Sequence, residues 1–173
     1  MKLVAIVCAA MLFAEVGIGV AQQSAPAGFL IFPGQSIGPL HIGMAIADAI
    51  KVMGMPKSTE PSGQGGVVVF RWYDANPSAT APQAGGLYVA ADFSGQILRV
   101  TAHNDPRSVT PNGVHDGMTE PQVKAAMGAP TSIEPIGKTA HDLVYASGIR
   151  FTVVDDANIE GYRTVTEITV FAP

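Results

Sequence analysis

One feature constrains this chain more than any other: it repeats itself. The stretch "LHIGMAIADAIKVMGMP" begins at Leu40, and "VHDGMTEPQVKAAMGAP" begins at Val114. His41 and His115, Gly43 and Gly117, Met44 and Met118, Met53 and Met127, Gly54 and Gly128, Pro56 and Pro130, Ser58 and Ser132, and Glu60 and Glu134 are all separated by the same 74 residues. Spacing conserved without a gap is the mark of a duplicated structural unit, each copy of which has an apolar face that it cannot bury alone.

Each copy reads as a short helix with defined ends. In the second, Thr119 and Gln122 have the spacing of a capping box, and Pro121 falls in the first turn, where its missing N–H does no harm. Met118 and Val123 flank the cap as a hydrophobic staple. Gly128 suits a left-handed stop and Pro130 forbids resumption. The first copy ends in the same way at Gly54 and Pro56, but Ala45 replaces the capping threonine. Ile46, Ala49, Ile50 and Met53 give it an apolar stripe at helical spacing.

After each helix the period changes to two. Val67–Tyr73, the alternating "LYVAADF" from Leu87 to Phe93, and "ILRVTAH" from Ile97 to His103 read as strands of the first copy. Leu143–Ala146, Ile149–Val154 and Thr164–Phe171 read as strands of the second. The expected architecture is α+β, in two tandem repeats. Each would be a short helix, or helix pair, followed by an antiparallel meander of about three strands, with helices packed on one face of the sheets. The expected boundaries are a signal peptide at 1–21, an N-terminal extension at 22–36, a first repeat at 37–103, a linker at 104–112 and a second repeat at 113–173. Units this small are marginal alone, so the two should stabilise each other.

The N-terminus carries Lys2, then an apolar run from Leu3 to Val20, then "AQQSAPAG", which is the pattern of a secretory signal peptide. Gly19-Val20-Ala21 places cleavage after Ala21; the alternative is an uncleaved anchor, against which Glu15 stands inside the run. Cys8, the single cysteine, lies in this segment, follows Val7, and is a poor lipidation site. The mature chain of about 152 residues would have no disulfide, no thiol nucleophile and no thiolate metal site. The expected location is periplasmic or secreted. Net charge is −4 and the basic residues are scattered singly, which excludes the basic patch that nucleic acid or an anionic membrane surface requires. No membrane insertion is expected after cleavage.

Three motifs hint at chemistry. "GQSIG", Gly34 to Gly38, matches the G-x-S-x-G nucleophile elbow, with His141 following in the right order. The elbow needs a helix directly after the serine, and Gly38-Pro39 opposes one. Asp156, Asn158, Glu160, Gly161, Thr164 and Glu167 nearly match a calcium loop, but both flanks read as strands where that loop wants helices. His41, His103, His115 and His141 include no i, i+4 pair on an expected helix, so no zinc site is expected. No catalytic residue and no cofactor is assigned. Trp72, Tyr73 and Tyr88, with Asp74 at the start of the loop running to Gly86, are the candidate protein-binding residues, because tryptophan and tyrosine are favoured interface anchors; the alternative is that Trp72 is a core residue and the tyrosines are ordinary sheet-face residues.

The motif "IG-x-L-x-x-GM…MG-x-P", followed by an aromatic strand and a hairpin, resembles the tandem-repeat β-lactamase inhibitory proteins and the small-protein-A type lipoproteins of outer-membrane assembly. The likeness spans roughly Ile37 to His103 and Val114 to Phe171. It implies helices on one face of antiparallel sheets whose other side forms a concave protein-binding surface. It implies binding, not catalysis. The inhibitory proteins staple each half with a disulfide and the lipoproteins carry a lipidated cysteine. This chain departs from both, so no functional residue is carried over. The expectation is an exported, non-catalytic binding module, inhibitor-like or an envelope assembly factor, recognising another protein of the envelope or medium. The alternatives are a small secreted serine hydrolase using Ser36 and a calcium-binding envelope protein.

Overall fold

A computed structural model describes residues 29–62, 67–72, 85–155 and 163–173. The signal segment, Cys8, Tyr73, Asp74, most of the loop up to Gly86, and Asp156 to Gly161 of the calcium-like motif lie outside the described residues. In chain order, three two-residue strands open the structure: β1 (Ile31–Phe32), β2 (Ser36–Ile37) and β3 (Leu40–His41). Helix α1 (Ile46–Met53) is followed by β4 (Ser58–Pro61), β5 (Val68–Arg71), β6 (Gly86–Ala91) and β7 (Ile97–His103). Helix α2 (Glu120–Met127) is followed by β8 (Ser132–Ile136), β9 (Ala140–Tyr145), β10 (Ile149–Asp155) and β11 (Arg163–Phe171).

The expected α+β architecture is overturned. Strands make up 49% of the described residues and helix 13%, in two antiparallel sheets of three and eight strands. The eight strands run β4-β5-β6-β7-β11-β10-β9-β8, so all of them join in one sheet rather than in separate helix-backed repeats. Physical size explains the correction. Each helix has eight residues, roughly 12 Å of length, whereas eight strands span roughly 34 Å. Two such helices cannot form a layer over that width. Part of the covering falls to the small sheet, whose Ile31, Ile37 and Leu40 are fully buried in the same core as Ala49 of α1 and Val123 of α2. Each helix is also followed by four strands rather than about three, because β4 and β8 are edge strands that accommodate Pro61 and Pro135.

The sequence repeat has a structural counterpart. Gly43 and Gly117 have φ of 79° and 84°, with nothing near where a side chain would sit, so glycine is there for its backbone conformation. That turn aims the following methionine at a strand. The Gly43 N–H donates to the Ile97 carbonyl, and the Ile97 N–H donates back to Met44. Gly117, Val165 and Met118 make the same pair of bonds in the second half. At the other end of each helix an aromatic side chain reaches the stopping glycine: Trp72 Nε1–H donates to the Gly54 carbonyl at 2.8 Å, and the Tyr145 hydroxyl to the Gly128 carbonyl at 3.2 Å. At the start of α2, the Thr119 N–H and hydroxyl both donate to the Gln122 amide oxygen, at 2.8 and 3.0 Å. Ala45 offers no such group; instead the Ile46 N–H donates to the Gly95 carbonyl.

The core occupies the covered side of the large sheet. Leu87, Val89, Val100 and Ala102 from the first half meet Leu143, Ile149, Phe151, Ile168 and Val170 from the second. Phe93, expected as the last residue of the strand from Leu87, is 86% exposed. The strand ends before it, because Asp92 accepts bonds from the Ser94 hydroxyl and the Gln96 N–H and closes a turn.

The stretch 104–112 is stitched to the rest rather than free. Asp105 is fully buried and accepts from the Ser108 hydroxyl at 3.0 Å and from Arg107 at 2.9 Å. Val109 exchanges backbone bonds with Phe29 and Ile31. Beside it Asp116 has a buried carboxylate oxygen with no hydrogen-bond partner among the described residues. Burial pushes its pKa up to about 6, against partial relief from the Gly117 N–H and the nearby His103. A carboxyl whose pKa is raised by folding favours the folded state when protonated. That contribution is complete below about pH 3.8 and is lost as pH rises through about 6. Asp116→Asn should therefore raise stability at pH 7.5 by roughly 1–2 kcal/mol, allowing for partial exposure, and leave it unchanged near pH 3.5. Urea midpoints at the two pH values check this; equal gains at both would refute the assignment.

Candidate functional site

Strand alternation sends every second residue of the large sheet away from the core. The register aligns these positions across strands. Arg71 stands opposite Tyr88, Tyr88 opposite Thr101, Thr101 opposite Thr169, and Thr169 opposite Arg150. Neighbouring rows place Arg99 opposite Phe171 and His103 opposite Glu167. No described element covers this face. It holds a depression of about 450 Å³ lined by Arg71, Tyr88, Arg99, Thr101, His103, Arg150 and Glu167, with Ser58 and Glu60 at the β4 edge. A second depression of about 250 Å³ shares Arg99 and Arg150 and adds Glu134, Val144, Thr169 and Phe171.

The polar groups of this face are arranged around a central seam where β7 meets β11. The Thr101 and Thr169 hydroxyls hydrogen-bond across it at 2.9 Å. His103 Nδ1 lies 2.9 Å from the Glu167 carboxylate. That hydrogen bond from His103 holds Glu167 below the usual carboxylate range against the opposing effect of burial, with Arg150 and Arg99 adding to it. The His103 ring also meets the Tyr88 ring edge-on at 6.0 Å, and Arg71 lies over the Tyr88 ring at 5.5 Å from its centroid. On the far side, Asp142 accepts from the Thr152 hydroxyl at 2.6 Å and faces Arg150 Nη1 at 3.3 Å. The face is thus rigid, polar at its centre, and aromatic on one flank.

Of the sequence candidates, Tyr88 alone lies on this face within the described residues. Trp72 does not. It is 5% exposed, stacks at a tilt against Phe70 with centroids 6.0 Å apart, and points to the covered side with its indole on Gly54. The reason is parity: Trp72 is two residues after Phe70, which stands opposite the core residue Val89. Tyr73 and Asp74 lie outside the described residues. The face is instead built from Arg71, Arg99, Thr101, His103, Arg150, Glu167 and Thr169; of these, His103 and Glu167 stand out in the sequence only as metal-ligand candidates, and the rest only as the alternate residues of amphipathic strands.

The other motifs fare as follows. Ser36 is 2% exposed in β2, paired on both sides by β1 and β3, so the chain there runs strand–turn–strand rather than strand–turn–helix. The last two positions of the calcium-like motif, Thr164 and Glu167, lie on β11, and the carboxylate of Glu167 is engaged by His103. The histidines are separated: His41 is on β3, His115 Nδ1 contacts its neighbour's carbonyl at 2.7 Å, and His141 lies 3.2 Å from Glu120. Among the described residues no three histidine or carboxylate side chains converge as a metal site would require.

No family model matches the chain, and no curated protein does. Solved structures with a similar fold include the following two. A DUF4309 family protein of Bacillus subtilis superposes with a TM-score of 0.53 at 13% identity, over 81% of this chain and 88% of its own. A cysteine-rich secretory protein of Staphylococcus aureus gives 0.52 at 15% identity, over 81% of this chain and 46% of its own, so this chain spans about half the length of that one. At such identities the likeness concerns the fold and carries no residue role across. No helix among the described residues is long and apolar enough to cross a membrane.

Proposed function

We propose that this chain is an exported, non-catalytic binding protein that receives another protein on the uncovered face of its eight-stranded sheet, as an inhibitor or an envelope assembly factor. The observation that carries the reading is the asymmetry of the sheet. One side is closed by two helices and the small N-terminal sheet, while the other keeps two adjoining depressions with arginines, threonines and Tyr88 at their floor. Continuous sheet faces of this kind present many rigid side chains at fixed spacing, and tyrosine and arginine are the residue types that dominate binding energy at such interfaces. The signal-like N-terminus and the secretory description of one structural relative are consistent with export.

The test is affinity capture from envelope extract and culture medium with three forms of the chain. Wild type should retain a specific protein, and Thr101→Trp, which fills the floor of the depression, should lose it. Lys51→Trp, on the exposed side of α1, should behave as wild type. Equal capture by all three forms would rule this face out as the interface.

A further inference from the structure

The charges of the uncovered face follow an order across the sheet. Glu60 stands on one edge strand and Glu134 on the other, at equivalent places in the two copies of the repeat, and both line the depressions. Between them lie the arginines. Arg71 is engaged by Tyr88 and by the Gly85 carbonyl at 3.2 Å. Arg99 and Arg150 stand on β7 and β10, on either side of β11, so their backbones are roughly 10 Å apart across the sheet. They line both depressions. Arg150 shares Asp142 through Nη1, while its Nε is buried with no hydrogen-bond partner among the described residues. Arg99 makes no hydrogen bond or ion pair with any described residue, and feels Glu167 only as a more distant charge already engaged by His103.

An uncompensated guanidinium beside a half-compensated one, at the centre of a face with acidic edges, has a defined complement. We infer that Arg99 and Arg150 form a carboxylate-binding subsite, which receives an acidic side chain of a partner polypeptide flanked by basic residues that meet Glu60 and Glu134. Two arginines reaching from either side of one strand can grip a single carboxylate with charge-assisted hydrogen bonds. The Thr101–Thr169 hydroxyl pair forms the polar floor beneath it. A uniformly anionic polymer does not fit as well, because the two edge glutamates and Glu167 would repel it. This inference rests on the proposed role of the face in binding protein, and specifies the chemistry of its ligand.

The test uses the purified chain and three probes: the capped peptide Lys-Ala-Glu-Ala-Lys, its Lys-Ala-Gln-Ala-Lys isostere, and inorganic phosphate. Binding is followed by NMR on the arginine Nε–H resonances, assigned from Arg99→Lys and Arg150→Lys. The Glu peptide should shift the Arg99 and Arg150 signals and bind at least tenfold more tightly than the Gln peptide. Arg99→Gln should lose that preference and Arg99→Lys should keep most of it, with thermal midpoints matching wild type. Equal binding of the two peptides, a preference that survives Arg99→Gln, or phosphate binding more tightly than the Glu peptide would each overturn the inference. Failure of the broader reading is separable. Capture lost by Thr101→Trp but kept by Arg99→Gln would leave the face as an interface and discard only the carboxylate subsite.

Discussion

Trp72→Ala lowers stability by about 3–5 kcal/mol, the usual cost of emptying a buried aromatic site. Trp72 is 5% exposed, packs on Phe70 and holds the end of α1 through Gly54, so its loss opens the core and releases the helix together. Trp72→Phe should cost less, about 1 kcal/mol from the lost hydrogen bond plus a smaller packing deficit. Urea denaturation of both variants measures this. Capture per folded molecule should be unchanged, since the indole lies on the opposite side of the sheet from Arg71. A cost below 1 kcal/mol for the alanine variant would mean that the indole is not in the core.

Gly148→Ala is the second large effect, roughly 3–4 kcal/mol. Gly148 sits in the turn between β9 and β10 with φ of 78°. An added Cβ would collide with the Phe171 carbonyl and lie 2.7 Å from the Gly34 Cα. These are backbone atoms that cannot rotate aside, so the clash adds to the left-handed penalty of about 1–2 kcal/mol. The same contact joins the N-terminal sheet to the large one, with the Gly34 N–H donating to the Gly148 carbonyl at 3.1 Å. Gly95→Ala provides the comparison: its φ is also 78°, but nothing lies within 4 Å, so only the backbone penalty applies. Equal losses at Gly148 and Gly95 would show that the steric contact is not real.

The helix ends were legible because Gly-x-Pro stops are local signals. Gly54 and Gly128 do stop α1 and α2, with φ of 78° and 83°. The inner strands were legible because alternation is also local. What escaped was set by distant parts of the chain. β4 and β8 were not among the expected strands, because an edge strand can hold proline and has only one partner to satisfy. The small N-terminal sheet consists of two-residue strands, too short for any period to show. The α+β expectation failed because eight residues of helix look the same in sequence whether they cover a whole sheet or only part of one. At the site, Arg71, Arg99 and Arg150 looked like isolated charges, and it is the strand order β5-β6-β7-β11-β10 that collects them. For Trp72 the sequence left both the core and an interface open, because tryptophan is favoured at interfaces, and parity with Phe70 is what fixes its side.

The seam between β7 and β11 bears on why the chain carries both copies. Ile97 and Val165 make the same bridges to their respective Gly-Met turns, so Arg99 is the counterpart of Glu167, and His103 of Phe171. Had two identical first copies met edge to edge as a symmetric homodimer, each His103 would have faced an Arg99 of its twin instead of a carboxylate. Two identical second copies would have set Glu167 against Phe171, leaving the carboxylate without a partner. Joining the copies in one polypeptide removes that symmetry requirement, and it replaces association between molecules by an effective concentration on the order of millimolar. The two central strands are then free to diverge. One contributes the carboxylate that satisfies His103, and the other keeps an arginine that nothing within the described chain neutralises.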